Sequence, residues 1–218
     1  MHYSIVIPIY NEQSTLKQLL SELKIFSNDN EIIIINDCSD DNSKQILERC
    51  TYIKLINQKI KSGKGAAIIF GLQYAKYNKI IITDGDLELK TSELTSLMKL
   101  NKSKNINIIF GSRYKKIIPY LSLWNFGNFF LTYIFNYIHN VQLPDALCGV
   151  KAFYRSDLKI DSLNSKGFDI DVEITAHLLK KFNSYEVEYL SYNRRSFGQG
   201  KKLKILDGFI ILHRIFKS

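Results

Sequence analysis

Four short apolar runs, rich in isoleucine and valine, punctuate the first half of the chain: YSIVIPI (3–9), EIIIIND (31–37), KIIITDG (79–85) and NIIFGS (107–112). TYIKLIN (51–57) is a weaker fifth. Each is too short for a typical helix, and β-branched residues favour a pleated strand. Between these runs the period changes. Leu16, Leu19, Leu20 and Leu23 recur three and four residues apart, as do Ile68, Leu72 and Ala75, which is the spacing of one buried helix face. Continuously apolar strands alternating with helices predict an α/β domain, a mostly parallel sheet flanked by helices on both faces. No internal repeat or low-complexity linker divides residues 1–218, so a single domain is expected.

In such a sheet, ligands bind beyond the carboxyl ends of the strands. The predicted strands end in PIYNE (8–12), NDCSDD (36–41), TDGDLE (83–88) and GSRY (111–114). Three of these ends are acidic and the fourth carries Arg113. Unshielded carboxylates repel by about 4 kcal/mol at ~4 Å for an effective dielectric near ~20. A site that gathers Asp84, Asp86 and Glu88 therefore calls for a cation, and an all-oxygen set favours Mg2+ or Mn2+ over zinc. Such an ion keeps several waters and shares its remaining positions with substrate phosphates. The loop KSGKGAA (61–67) enters a predicted helix. Its glycines would either let backbone amides approach a phosphate that its lysines, Lys64 among them, neutralise, or simply form a turn. It is neither GxGxxG nor a P-loop, so neither a dinucleotide dehydrogenase nor a P-loop kinase is indicated.

Composition changes this picture little: 45% hydrophobic and 23% charged residues are ordinary for a globular protein. The net charge of +9 suggests an anionic partner. No zinc-ligand spacing, RNA-binding aromatic motif or long basic helix directs that charge to nucleic acid. Three cysteines without paired spacing read as reduced thiols in a cytosolic compartment. The opening MHYSIVIPIYNE lacks the pattern of a signal peptide.

The segments IVIPIYNE (5–12), IIIINDCSDDN (32–42), GKGAA (63–67), TDGDLE (83–88), GSRY (111–114), DALCGVKAFYR (145–155), KGFDIDVEI (166–174) and RSFGQGK (195–201) follow one another in an order that resembles the GT-A glycosyltransferases of family 2. The nearest likeness is to the branch that makes polyprenyl- and dolichyl-phosphate mannose and glucose. That resemblance implies a metal-dependent, inverting transfer from a UDP- or GDP-linked sugar to a polyprenyl phosphate, at the cytosolic membrane face. It implies that Pro8, Tyr10, Glu12, Asp37, Lys64 and Asp84 bind the nucleotide sugar, with Asp37 on the base. Asp84, Asp86 and Glu88 would hold Mg2+ or Mn2+. Arg113, Arg195 and Lys201 would surround the acceptor phosphate or diphosphate, and Asp86, Asp171 and Arg113 form the catalytic set. Residues 1–115 would be the nucleotide-sugar half and 116–201 the acceptor half. Asn36 and Cys38 stand where the family often has aspartate and glycine, which leaves the base open.

Residues 117–144 contain no Lys, Arg, Asp or Glu but carry Trp124, Phe126, Phe129, Phe130, Tyr133, Phe135 and Tyr137. Asn125, Gly127, Asn128, Asn136 and His139 interrupt the stretch, so an amphipathic or partly buried helix is expected rather than a span. KKLKILDGFIILHRIFKS (201–218) pairs an apolar stripe with flanking cations, as interfacial helices do. Two other readings stay open: the same catalyst acting on a glycan hydroxyl, and a non-catalytic nucleotide-sugar or nucleic-acid binder. In GFDIDVEI, Asp169 is expected either to cap a helix or to serve the site, and Glu173 either to be a surface charge or to serve it.

Overall fold

The computed structural model describes residues 2–115, 122–196, 198, 200 and 202–218. Strands β1 (Tyr3–Ile9), β2 (Glu31–Asn36), β3 (Lys54–Asn57), β4 (Lys79–Ile82), β5 (Ile108–Ser112), β6 (Lys151–Tyr154) and β7 (Glu186–Tyr189) form one sheet in the order β3-β2-β1-β4-β6-β5-β7. All neighbours pair in parallel except β6, which runs antiparallel to both β4 and β5. The helices are α1 (Leu16–Leu23), α2 (Ser43–Glu48), α3 (Lys64–Gln73), α4 (Leu123–His139), α5 (Ile170–Leu179) and α6 (Ile205–Lys217).

The isoleucine runs are buried on both faces, and the pleat sorts them. Val6, Ile33, Ile35, Ile80 and Ile82 join one core with residues of α3, α4, α5 and α6. Ile5, Ile7, Ile32, Ile34 and Ile81 join the other, with the leucines of α1. A strand of period two with apolar residues at every position thus feeds two layers of helices.

The reversed strand decides where the site lies. Because β5 is antiparallel to β6, and β6 to β4, the carboxyl ends of β4 and β5 emerge on the same edge as those of β1 and β2. The segment entering β6, residues 145–150, lies at that edge too. Here Gly85 packs so closely that a Cβ would lie 2.1 Å from Ile9 Cδ1, and Leu87 adopts a left-handed φ of 59°. The acidic turn after β4 is therefore pressed against β1 rather than waving in solvent.

The expected strands and the helix faces of α1 and α3 are present, whereas β6, β7 and α2 are additions. The uncharged stretch forms α4. Among the described residues no helix is long and apolar enough to cross a membrane.

Candidate active site

Lys64, the first residue of α3, is the hub of the cleft. Its Nζ lies 2.7 Å from Asp84 Oδ1 and 2.8 Å from Asp171 Oδ2, an acid in the first turn of α5. Burial alone would lower the Lys64 pKa, but Asp171 and Asp84 more than offset it, so the ammonium is held charged. Burial pushes the Asp84 carboxyl up, and Lys64, with Lys151 and Arg113 behind it, brings the carboxyl below its ordinary value. Gly149 makes this triad fit: a Cβ there would sit 2.5 Å from Asp84 Oδ2 and 2.9 Å from Lys64 Nζ.

Asp86 has the opposite environment. Its Oδ1 accepts the Glu88 amide at 3.0 Å, and no lysine or arginine among the described residues forms an ion pair with its carboxylate. Burial first, then the charges of Asp84 and Glu88, push its carboxyl up to about 7. A half-buried acid among acids suits a divalent cation, so the donor chemistry fits Mg2+ or Mn2+ at Asp86. The expected trio is nevertheless not assembled. Among the described residues no three His, Cys, Asp or Glu side chains converge to hold a metal, because Asp84 is turned onto Lys64 and Glu88 accepts the Arg195 amide at 2.9 Å.

Glu12, buried at the end of β1, draws in the chain's last third. Arg195 Nη1 donates to its Oε2 at 2.8 Å, and the Lys202 ammonium reaches Oε1. Arg195 Nη1 also donates to the Asp86 carbonyl at 3.3 Å, and an isolated bridge joins Leu89 to Tyr192. The Tyr10 ring is approached by two ammonium groups, Lys61 at 3.8 Å and Lys202 at 5.8 Å from its centroid. Pro8 pairs with Ile35 inside the sheet, so its part is to carry the strand towards Tyr10. Lys201 lies outside the described residues; the neighbouring cation Lys202 lines the cleft.

Arg113 is spoken for. Its Nε and Nη2 grip Asp145 Oδ2 and Oδ1 at 2.7 and 2.8 Å, and its guanidinium carbon lies 5.6 Å from the ring centroids of both Tyr114 and Tyr192. The Asp145 side chain is 0% exposed, so this bidentate pair is internal and presents Arg113 to the cleft in one orientation.

Three expectations change. The glycines of KSGKG do not open a phosphate cradle: the Gly65 and Ala66 amides donate to the Lys166 carbonyl at 2.9 and 3.4 Å. A Cβ at Gly63 or Gly65 would instead strike the Lys166 or Ser165 carbonyl at 2.3 or 2.4 Å. The loop delivers Lys64, and the amides of Ser62, Gly63, Gly65 and Ala66 are already engaged within the protein. Asp37 accepts the Ser62 and Gly63 amides at 2.7 and 2.8 Å, so both of its carboxylate oxygens hold that loop. Asp169 stands at the helix start without capping it, and Glu173 is no surface charge. Both pair with Arg214 of α6, at 3.0 and 3.1 Å.

Asp145, Gly149 and Lys202 were not singled out by sequence reasoning. The DALCGVK and QGKK segments contain them, but their partners lie far away in the chain. Lys151, fully buried in β6, donates to the Cys148 carbonyl at 2.6 Å, and burial lowers its pKa.

The cleft encloses about 130 Å3 among Lys64, Asp84, Asp86, Glu88, Arg113 and Lys202. It meets an apolar groove of about 340 Å3 between α4 and α6, lined by Trp124, Phe130, Leu212 and Phe209. Asn128, Leu147, Leu203 and Ile211 line both.

Residues 4–159 match the family model described as Glycosyl transferase family 2. The chain belongs to glycosyltransferase family 2. It is 29% identical over 185 residues to the dolichyl-phosphate beta-glucosyltransferase ALG5A of Trichomonas vaginalis, a match covering 75% of this chain and 56% of that one. It is 25% identical to the glycosyltransferase AglJ of Haloferax volcanii over 98% of this chain and 70% of that one. In fold it is similar to glucosyl-3-phosphoglycerate synthase of Mycobacterium tuberculosis, solved with Mn2+, uridine diphosphate and glucosyl-3-phosphoglycerate. The TM-score is 0.74 at 13% identity, covering 99% of this chain and 79% of that one. This family 2 chain is thus a glycosyltransferase of GT-A fold, near the dolichyl-phosphate sugar synthases.

Proposed function

We propose that this glycosyltransferase moves a sugar from a nucleotide diphosphate sugar to the phosphate of a polyprenyl phosphate, working as a peripheral protein on the cytosolic face of a membrane. The observation that carries the reading is the joined pair of cavities. A charged cleft and a groove lined mainly by apolar side chains lie side by side, with Asn128, Leu147, Leu203 and Ile211 lining both. That is the shape of an amphiphile, with an anionic head among Arg113, Arg195 and Lys202 and an isoprenoid tail between α4 and α6. A glycan acceptor would find few hydrogen-bond partners in that groove.

The chemistry agrees. A phosphate monoester has a second pKa near ~6 and is already a nucleophile at neutral pH, so no general base is required. An acceptor phosphate oxygen bonds to the anomeric carbon as the bond to the diphosphate breaks, which inverts the configuration. Asp171 is tied to Lys64, which suits an orienting role and not proton abstraction. A bound Mg2+ or Mn2+ neutralises charge developing on the diphosphate; Asp86 is the residue best placed to hold it. The kinship with dolichyl-phosphate glucosyltransferases supports the acceptor, and the Mn2+ and uridine diphosphate of the mycobacterial synthase support the donor side.

The membrane part rests on side chains left outside the core. Phe126, Phe129, Phe130, Tyr133 and Tyr137 of α4, and Leu206 and Phe209 of α6, are exposed. The deciding assay supplies radiolabelled UDP- and GDP-sugars with either polyprenyl phosphate or a hydroxyl glycan, and counts label extracted into organic solvent. Label on the lipid supports the proposal. Transfer to glycan hydroxyls alone refutes it.

A further inference from the structure

We propose that Lys64 is an internal counter-cation that keeps a divalent metal off Asp84 until a nucleotide diphosphate arrives, so that metal and diphosphate enter together. This rests on the nucleotide-sugar reading above. Three separate elements converge on one ammonium: Lys64 opens α3, Asp84 follows β4, and Asp171 lies in the first turn of α5. The Lys64 side chain is only 12% exposed, with Asp84 and Asp171 at 2.7 and 2.8 Å. Gly149 closes the remaining flank, since even a methyl group there would overlap both Asp84 Oδ2 and Lys64 Nζ.

A divalent ion approaching Asp84 and Asp86 together meets a positive charge already seated on the first. Asp86 by itself offers one carboxylate, whose Oδ1 already accepts the Glu88 amide. Mg2+ sheds water reluctantly and is generally held by one or two carboxylates together with substrate phosphates. A diphosphate supplies those missing oxygens. It also gives Lys64 a third acceptor: two of its three N–H groups point to Asp84 and Asp171, and the last can turn to a phosphate oxygen. Lys64 thereby links occupancy by the anion to occupancy by the cation, and that linkage is reciprocal.

The test measures Mn2+ binding to the full chain from the paramagnetic resonance signal of the free aqua ion, with and without UDP or GDP. The wild-type protein is expected to bind Mn2+ weakly alone, and at least about tenfold more tightly with the nucleotide it accepts. Lys64→Met should bind Mn2+ alone about tenfold more tightly than wild type, with the gain from nucleotide reduced by the same factor. Because Lys64→Met strands two carboxylates, the double variant Lys64→Met/Asp171→Asn, which keeps the local net charge, is measured beside it. Either folded variant binding Mn2+ no better than wild type overturns the proposal, and so does wild-type binding that is equally tight without nucleotide. In both cases nucleotide binding leaves the enzymatic reading standing. If neither UDP nor GDP binds, with or without Mn2+, the nucleotide-sugar reading falls and takes this proposal with it.

Discussion

At the carboxyl ends of β1, β4 and β5, buried charge is answered by charge: Lys64 by Asp84 and Asp171, Glu12 by Arg195 and Lys202, Arg113 by Asp145. Along the outer surfaces of α4 and α6 the opposite holds, and Tyr137 and Leu206 stand 80% and 71% exposed without a polar purpose. The first region spends its interactions inside the molecule and is preorganised for an ionic ligand. The second leaves its apolar surface unspent, which marks surfaces that meet another phase or partner. A catalyst acting as proposed, on a water-soluble donor and a lipid acceptor, would need both.

The sharpest way to break the contrast is at Asp86. Asp86→Asn should cut turnover by about a thousandfold or more, measured as kcat, because the charge that holds a divalent ion is lost. Excess EDTA should do the same until metal is restored. Arg195→Ala should lower kcat/KM for the acceptor by about a hundredfold while leaving a buried Glu12 short of one partner. Asp171→Asn, by contrast, should retain measurable turnover with an unchanged shape of pH profile, as befits a residue that orients Lys64.

The seam between the regions should answer in stability. Arg214 ties α6 to Asp169 and Glu173. Arg214→Ala should destabilise the fold by about 3 kcal/mol in urea unfolding, since it leaves two buried acids unpaired. Removing α6 entirely would also strip Ile211 and Ile215 from the core, so point changes report on membranes more cleanly. Asp86→Asn gives a second, opposite reading. The Asp86 carboxyl is pushed up to about 7 in the metal-free protein, above its ordinary 3.8. A raised acid costs nothing below its unfolded pKa, costs progressively more as pH rises, and reaches its full cost above its folded pKa. The metal-free Asp86→Asn variant should therefore melt a few degrees above wild type at pH 8, by roughly 1 kcal/mol or more, and the gap should close towards pH 4. The smallest effect on the protein itself is expected from Phe209→Ser with Leu206→Ser. It should change stability within about ±0.5 kcal/mol, yet reduce sedimentation with anionic vesicles, including at high salt, where charge-only binding is screened.

Much of this was legible in the chain. The Ile-rich runs announce β1, β2, β4 and β5 because every position of a doubly covered strand is apolar, and the acidic strand ends announce the site edge. KAFY and EVEY do not announce β6 and β7, since four residues carry no period and β7 is half exposed. The reversal of β6 is a matter of pairing, which no local stretch encodes. Partnerships such as Arg113 with Asp145 were hidden for the same reason. The glycines of KSGKG were misleading because a need for close approach looks the same whether the neighbour is a phosphate or the Lys166 carbonyl. Glu173 reads as a surface charge until Arg214 is seen 41 residues away.

The Glu12 clamp also sets a timetable for the newly made chain. Its two cations lie 183 and 190 residues further on. At about 5–20 residues per second of synthesis, the carboxylate waits on the order of ten seconds or more before either partner exists. Until then the first strand carries an acid that cannot be sheltered without cost, so the cleft should reach its final form only when the closing segment has emerged. Birth order runs from sheet to clamp, and a piece made late is the one that shuts the door on the first.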